Sequence, residues 1–336
     1  MCVSDTQDPG TRRSRLNGIK LRALVSDELG RAPGEPVEFS PGAALRDGDD
    51  GWVYLDERPA GRLGAAIAWA LRSGAERLHV VAEQGTGVLA RRAAEFDMPI
   101  TVWVAEGRSL RRAVPDELPR PEPAPDAHEA FRPLIVEGGA QPVAEHGVLT
   151  GEVRGLEVCR VVDDVAMGVT RLEVGVGEHD RGAFQMLHGD VPAVASLARV
   201  VDVVTQHRSP EGPPHPLKSL GAERLIRWRL EQQPELVGAG VLAPAPPPLP
   251  RPNLKDPTPC VAAGIGLGGE RVVVVCSSGI DLDLIPYAAD ARLALGEPGV
   301  GASGRLVVAL PSRDRVGLVD EIADRLRQSV SFVSVD

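Results

Sequence analysis

Short apolar runs alternate with longer segments of helical periodicity in the first part of the chain. Three runs read as strands and the two stretches between them read as helices. The strands are WVYL (52–55), RLHVVAE (77–83) and ITVWVAE (100–106), and the helices are RLGAAIAWALRSG (62–74) and TGVLARRAAEF (86–96). Strands that alternate with helices of this length predict a parallel sheet with right-handed crossovers.

The last part of the chain repeats this order. An apolar run at 261–266 precedes strands at 270–278, 305–311 and 330–335, with helices at 285–295 and 316–327 between them. The glycine-rich GIGLGG (264–269) predicts a hairpin turn, because a phosphate-binding loop would follow a strand and open a helix. The sequence therefore indicates an α/β fold with two similar strand-helix-strand-helix-strand units, although residue identity between them is too low to prove a duplication.

Two proline-rich stretches, 115–125 and 241–259, divide the chain, since proline disrupts helices and central strands. We expect four segments. They are an irregular N-terminal segment at 1–50 with a short helix near 21–29, an N-terminal βαβαβ unit at 51–114, a central segment at 126–240 and a C-terminal ββαβαβ unit at 258–336. The central segment combines a β-hairpin of 151–162 and 170–177 with helices near 128–135 and at 180–188, 191–207 and 215–233.

Composition excludes several classes of protein. The chain has 37 basic and 47 acidic residues, a net charge of -10, which argues against broad charge-driven binding of nucleic acid and leaves only a locally basic face. The four cysteines show no CxxC spacing and predict reduced, buried thiols rather than a zinc site or disulfides. No apolar run approaches the roughly 20 residues that span a bilayer, and no signal core is present. We expect a cytoplasmic protein without a membrane partner.

The hairpin carries the strongest candidate chemistry. Glu157 and Glu173 lie on adjacent predicted strands and are the candidate catalytic residues, with Glu152, His179 and Asp180 nearby in sequence as further metal ligands. Converging carboxylates bind a divalent ion such as Mg²⁺ or Mn²⁺, which polarises a phosphoryl oxygen and lowers the pKa of a bound water.

In the alternative interpretation, the acids of the hairpin have structural roles only. Glu157 would pair with Arg154, Arg160 or Arg171 across the strands, and Asp180 would cap the following helix.

A second candidate surface lies on the helix ERLIRWRL (223–230). Arg224, Arg227 and Arg229 would contact phosphates and Trp228 would stack on a base. In the alternative interpretation, Trp228 packs inward with its apolar neighbours while the arginines are solvated.

A third interpretation places a small ligand at the carboxyl ends of the strands. Glu83, Glu106 and Ser277 would border such a pocket. No GK[ST] sequence and no other nucleotide-cofactor motif accompanies them.

The block GEVRGLEVCRVV…TRLEVGVGEHDRGAF resembles sequences from high-GC bacteria, which implies no activity. The order of a helix, an acidic hairpin and further helices and strands is similar to the restriction-endonuclease-like fold, which includes tRNA-splicing-endonuclease-like domains. That resemblance implies that Glu157 and Glu173 are the two metal-binding acids, but Gly175 stands where the family has lysine.

The leading functional expectation is a metal-dependent or degenerate nuclease-like protein that acts on or binds nucleic acid. The alternative is a non-catalytic α/β scaffold or regulatory binding protein, whose protein partners the sequence does not identify.

Overall fold

The computed structural model describes residues 9–40, 42–177, 180–182, 192–209, 215–249, 258–296 and 304–336. Contacts divide the α/β chain into two compact units. The first contains Met1–Glu117, Ile280–Asp290 and Val316–Ser329, and the second contains Leu118–Gly279, Ala291–Arg315 and Val330–Asp336. Within the described ranges, every helix is too short or too polar to cross a membrane.

The first unit contains a six-stranded sheet in the order β1-β2-β3-β4-β5-β6. Its strands are β1 (Val37–Phe39), β2 (Gly42–Asp47), β3 (Asp50–Leu55), β4 (Arg77–Ala82), β5 (Ile100–Glu106) and β6 (Ser109–Arg112). The three predicted strands β3, β4 and β5 are parallel, and the outer strands pair antiparallel. Helices α2 (Leu63–Ser73) and α3 (Thr86–Ala93) form the crossovers between them.

The prediction that residues 1–50 are irregular is wrong. The described part of this segment forms helix α1 (Pro9–Leu29), which contains the short helix predicted near 21–29, and the strands β1 and β2. Leu21, Leu24 and Val25 of α1 are buried in one core cluster with Trp52 and Tyr54 of β3. The helix is stabilised by this packing on the sheet, which weak local periodicity cannot reveal.

The second unit contains two sheets. A four-stranded antiparallel sheet has the order β10-β9-β8-β7, and a five-stranded sheet has the order β11-β12-β13-β14-β15. The strands of the first are β7 (Gln141–Glu145), β8 (Val148–Val153), β9 (Leu156–Asp164) and β10 (Val169–Val174). Those of the second are β11 (Ala239–Ala245), β12 (Cys260–Gly266), β13 (Arg271–Cys276), β14 (Arg305–Leu310) and β15 (Val330–Ser334). The antiparallel pairing of β12 with β13 confirms the turn predicted at the glycine run.

The central segment differs from the predicted hairpin in its number of strands. The predicted strand 151–162 is interrupted by a turn at Arg154 and Gly155, whose φ angles of 49° and 78° place both in the left-handed region. The acids therefore lie in a four-stranded meander.

The structure describes seven further α-helices. They are α4 (Asp126–Glu129), α5 (Arg132–Glu137), α6 (Ala193–His207), α7 (Pro216–Ser219), α8 (Ala222–Gln232), α9 (Leu284–Leu295) and α10 (Gly317–Ala323). The helix predicted at 215–233 is broken by Gly221, with a φ of 55°. The helix predicted at 180–188 lies outside the described residues except for its first three positions.

The chain runs through one order of elements twice. α1-β1-β2-β3-α2-β4-α3-β5 matches α8-β11-β12-β13-α9-β14-α10-β15, with the same sense of pairing between corresponding strands. Within the first unit, the segments after α3 and α10 meet at an antiparallel bridge between Phe96 and Leu326. Phe96 lies four positions before the start of β5, and Leu326 lies four positions before the start of β15.

Backbone hydrogen bonds around this bridge are reciprocal. The Asp97 N–H donates to the Arg325 carbonyl at 2.8 Å, and the Arg327 N–H donates to the Glu95 carbonyl at 2.9 Å. Residues at equivalent positions of the two repeats thus contact one another at this bridge.

A buried ion cluster joins two of the three chain segments of the first unit. Asp290 has no exposed surface and accepts from Arg91 Nε at 2.9 Å and Arg92 Nε at 2.7 Å. Arg92 also donates to Asp283 at 2.7 Å, and the Gly64 N–H donates to the same carboxylate at 3.0 Å. Burial raises the pKa of Asp283 to about 6, although Arg92 favours its ionised form.

We expect Asp290→Asn to destabilise the protein strongly, because it leaves Arg91 and Arg92 buried without their shared carboxylate. The free energy of unfolding should fall by about 3–5 kcal/mol. The matched control is Asp27→Asn, which breaks an exposed pair with Arg108 and should cost about 0–1 kcal/mol. Denaturant titration measures both values, and equal losses would contradict the assigned role of the cluster.

Candidate functional site

Two glutamates face each other inside the four-stranded sheet. Glu152 on β8 is paired in register with Glu157 on β9, and their residues are only 1% and 2% exposed. Like charges directly opposite one another repel, and burial removes the water that would screen them. Each carboxylate therefore requires cations from the protein itself.

Arginines satisfy both oxygens of Glu157. Arg160 donates from Nε to Oε1 at 2.8 Å and from Nη2 to Oε2 at 2.9 Å, and Arg181 donates from Nη1 to Oε1 at 3.0 Å. The bidentate geometry is the strongest form of this ion pair. The expected pairing of Glu157 with Arg160 is confirmed, although both residues lie on β9 and not on opposite strands.

Glu173 on β10 lies opposite Arg160 in the register of β9 and β10. Its carboxylate accepts from Arg171 at 2.9 Å and lies 3.6 Å from Nε of Arg181. Glu157 and Glu173 therefore converge, as expected from their strands, but the group within reach of both is the Arg181 guanidinium.

Helix α8 supplies the cations for the other side of the pair. Arg227 Nη2 donates to Glu152 at 2.5 Å, and Arg224 donates to the other oxygen of the same carboxylate. Both arginines also contact Glu145 at the end of β7, at 2.5 Å for Arg224 and 3.2 Å for Arg227. We call Glu145, Glu152, Arg224 and Arg227 the α8 ion network.

Helix α8 divides its contacts between two faces. Arg224, Arg227 and Glu231 follow a spacing of three and four residues, and Glu231 accepts from Gln141 of β7 at 2.9 Å. Ile226 and Leu230 lie on another face and pack into the core of the five-stranded sheet. Burial acts against the charge of Arg227, but Glu152 and the neighbouring carboxylates raise its pKa above the ordinary value.

The predicted nucleic-acid surface is thus used within the chain. Arg224 and Arg227 are buried, whereas Trp228 is half-buried, with Arg154 5.5 Å from the centre of its ring. Arg229 donates to the carbonyl of Asp336 at 3.1 Å. The expectation that the arginines are solvated while Trp228 packs inward is wrong for Arg224 and Arg227, because the acids of β7 and β8 draw them inward.

Of the remaining predicted metal ligands, the structure describes Asp180 and not His179. Asp180 is exposed and accepts from the Val176 N–H at 2.8 Å, and His179 lies outside the described residues. In the part of the chain that the structure describes, no group of three or more His, Cys, Asp or Glu side chains is arranged to hold a metal. Glu157 as arranged does not fit Mg²⁺ or Mn²⁺, since its oxygens already accept from two guanidinium groups.

A polar cavity of about 160 Å³ lies beside the network. Its charged walls are the carboxylates of Glu145 and Glu157 and the guanidinium groups of Arg160 and Arg224. The volume is that of about five water molecules. Because its carboxylates and guanidinium groups are equal in number, the cavity has no net charge with which to select an anion or a cation.

The strand-end residues proposed for a small ligand are also engaged or buried. Glu83 pairs with Lys20, Glu106 accepts from Arg111 at 2.9 Å, and Ser277 is 3% exposed. The described carboxyl ends of these strands therefore do not present free charged groups toward a common ligand.

Comparison of the chain with protein-family models, with curated proteins and with solved structures finds no match. The interpretation of the ion networks therefore depends on their geometry alone.

Glu145, Arg181 and Glu231 were not predicted as parts of the site. The spacing of Arg224, Arg227 and Glu231 along α8 is a signal that would have shown a charged helix face. No local pattern identifies Glu145 or Arg181, whose partners are distant in sequence or lie across strands.

We expect Glu152→Gln to be far more destabilising than Glu173→Gln. The first substitution leaves two buried arginines short of a counter-charge and should cost about 3–5 kcal/mol. The second removes a partly exposed acid and should cost about 0–1 kcal/mol. Thermal and denaturant unfolding of the two variants measure the difference, and a smaller loss for Glu152→Gln would show that the network is not structural.

Cys159 of β9 should resist alkylation in the folded protein. Burial raises the pKa of its thiol to about 12, so roughly one molecule in ten thousand carries the reactive thiolate at pH 8. Mass spectrometry of peptides after iodoacetamide treatment should find Cys159 modified only in denaturant. Modification at equal rates in folded and denatured protein would contradict its burial.

Proposed function

We propose that this protein is a non-catalytic α/β protein that binds another protein, with its buried glutamates serving to hold the fold. The observation that carries the proposal is the carboxylate of Glu157, both of whose oxygens accept from guanidinium groups of Arg160 and Arg181. A metal ligand or general base needs an oxygen directed at the metal or at a water. Here those directions are taken by arginine.

Exposed apolar side chains in the first unit support the binding part of the proposal. Leu16 and Ile19 of α1 are 57% and 60% exposed, and Val37 of β1 is 51% exposed. Neighbouring apolar side chains on a protein surface are typical of interaction sites.

A nuclease-like activity is the second candidate. One observation favours it: Glu157 and Glu173 both lie within reach of the Arg181 guanidinium, at 3.0 and 3.6 Å. A divalent ion between the two carboxylates would have to replace Arg181, and nucleic acid would have to be bound by groups other than the buried Arg224 and Arg227.

Divalent metals separate the two candidates. We expect the melting temperature of the protein to be unchanged in about 10 mM Mg²⁺ or Mn²⁺, because guanidinium groups occupy the carboxylates. A site with a dissociation constant of about 0.1 mM would instead stabilise the fold by about 2.7 kcal/mol. The measurement is a thermal-shift titration, paired with an assay of metal-dependent cleavage of single- and double-stranded DNA and RNA.

The controls are Glu157→Gln and, at a half-buried acid of the same unit that pairs with Arg132, Glu129→Gln. Stabilisation or cleavage that Glu157→Gln abolishes and Glu129→Gln preserves would overturn the non-catalytic proposal. Metal effects that survive in both variants would arise from other parts of the surface.

A further inference from the structure

Helices α1 and α8 occupy equivalent positions in the two repeats. Each precedes three antiparallel-paired strands and packs on one face of the sheet that they begin. The buried pair Leu21 and Val25 of α1 has the same four-residue spacing as Ile226 and Leu230 of α8. Counted from these pairs, Arg22 of α1 corresponds to Arg227 of α8.

The same count aligns Ile19 of α1 with Arg224 of α8. In α8 this face is covered by acidic strands, since Arg224 and Arg227 contact Glu145 of β7 and Glu152 of β8. The second repeat thus shows which kind of surface binds the face of α8 that carries Arg224 and Arg227. It is the edge of a β-meander that carries carboxylates.

In α1 the corresponding face is open. Arg15, Ile19 and Arg22 line a groove of about 430 Å³, whose opposite wall is formed by the segment Glu35 to Glu38, including Val37 of β1. We call this the α1–β1 groove. Among the residues that the structure describes, nothing covers the exposed Ile19 and Val37.

The α1–β1 groove has no net charge, since Arg15 and Arg22 on its helix side are balanced by Glu35 and Glu38 on the opposite wall, so an acidic occupant is favoured only beside the helix. Arg15 has no ion-pair partner within the described part of the chain. Arg22 contacts Glu35 at 2.9 Å, but both side chains are exposed, and such pairs contribute little and exchange readily. An incoming carboxylate would therefore meet one free and one weakly held guanidinium group.

The backbone of β1 favours an extended occupant. β1 is the outermost strand of its sheet and pairs only with β2. The peptide groups on its outer side are therefore available to a further strand, as in β-augmentation. A strand in that position would lie beside α1, within reach of Arg15, Ile19 and Arg22.

We propose that the α1–β1 groove binds an acidic β-strand segment of a partner protein, whose carboxylates pair with arginines of α1 as Glu145 and Glu152 pair with those of α8. This inference rests on the proposed binding function. The carboxylates of the segment contact Arg15 and Arg22, and its apolar side chains pack on Ile19 and Val37. Specificity would come from alternation of acidic and apolar residues along the segment.

The test uses the full chain and two fluorescein-labelled peptides. One has the sequence of residues 140–153, AQPVAEHGVLTGEV, and the other is a short Glu-Val repeat. Fluorescence anisotropy should detect binding of at least one peptide to the native protein. The version of the first peptide with Gln in place of both glutamates should bind more weakly.

The decisive variant is Arg15→Glu/Arg22→Glu, which should weaken binding about tenfold through charge reversal at the groove. The matched control is Arg72→Glu, an exposed arginine of α2 outside the groove, which should leave the affinity unchanged. Circular dichroism checks folding, and Ile19→Ser replaces the double variant if that one does not fold.

Two results would overturn the inference: no binding of either peptide at millimolar concentration, or equal affinities of the groove and control variants. Concentration-dependent dimers that the groove substitution abolishes would assign the groove to a second copy and also overturn it. A failure of both peptides to bind would not change the expected result of the metal titration. The two failures are therefore distinguishable.

Discussion

Neutralisation of buried charge on α8 is the interaction on which the second unit depends. Arg224 and Arg227 lie in an interior where unpaired charges are very costly, so Glu145 and Glu152 must be placed opposite them. This requirement fixes how β7 and β8 lie against α8, while Ile226 and Leu230 fix the helix on the other sheet. Acids that would suit a metal by residue type are consequently used as counter-ions.

The internal repeat explains why two similar helices have different surroundings. An apolar pair on each of the helices α1 and α8 packs on a mixed sheet. Of these two helices, α8 also contacts the acidic meander in the described structure. Strands β7 and β8 of the central segment bury the basic face of α8. The corresponding face of α1 is exposed.

The periodicity of the sequence was sufficient for the strands and helices of both repeats, since β3 to β5 and β13 to β15 are short apolar runs separated by amphipathic helices. It failed for the arginine-rich first half of α1, which has no apolar stripe, and for the turn at Arg154 and Gly155, which divides a continuous β-like run. In both cases the deciding interactions are tertiary: burial of Leu21 and Val25 on the sheet and closure of the meander.

The sequence by itself determined the α/β class, the repeated order of strands and helices and the place of Glu157 and Glu173 on neighbouring strands, because these follow from local periodicity. Only the tertiary structure decided what the carboxylates contact. Arg181 and Glu145 reach their partners across 24 and 79 positions of the chain. A glutamate that faces a metal and one that faces an arginine have the same local pattern, and the difference lies in the charge that the fold brings to it.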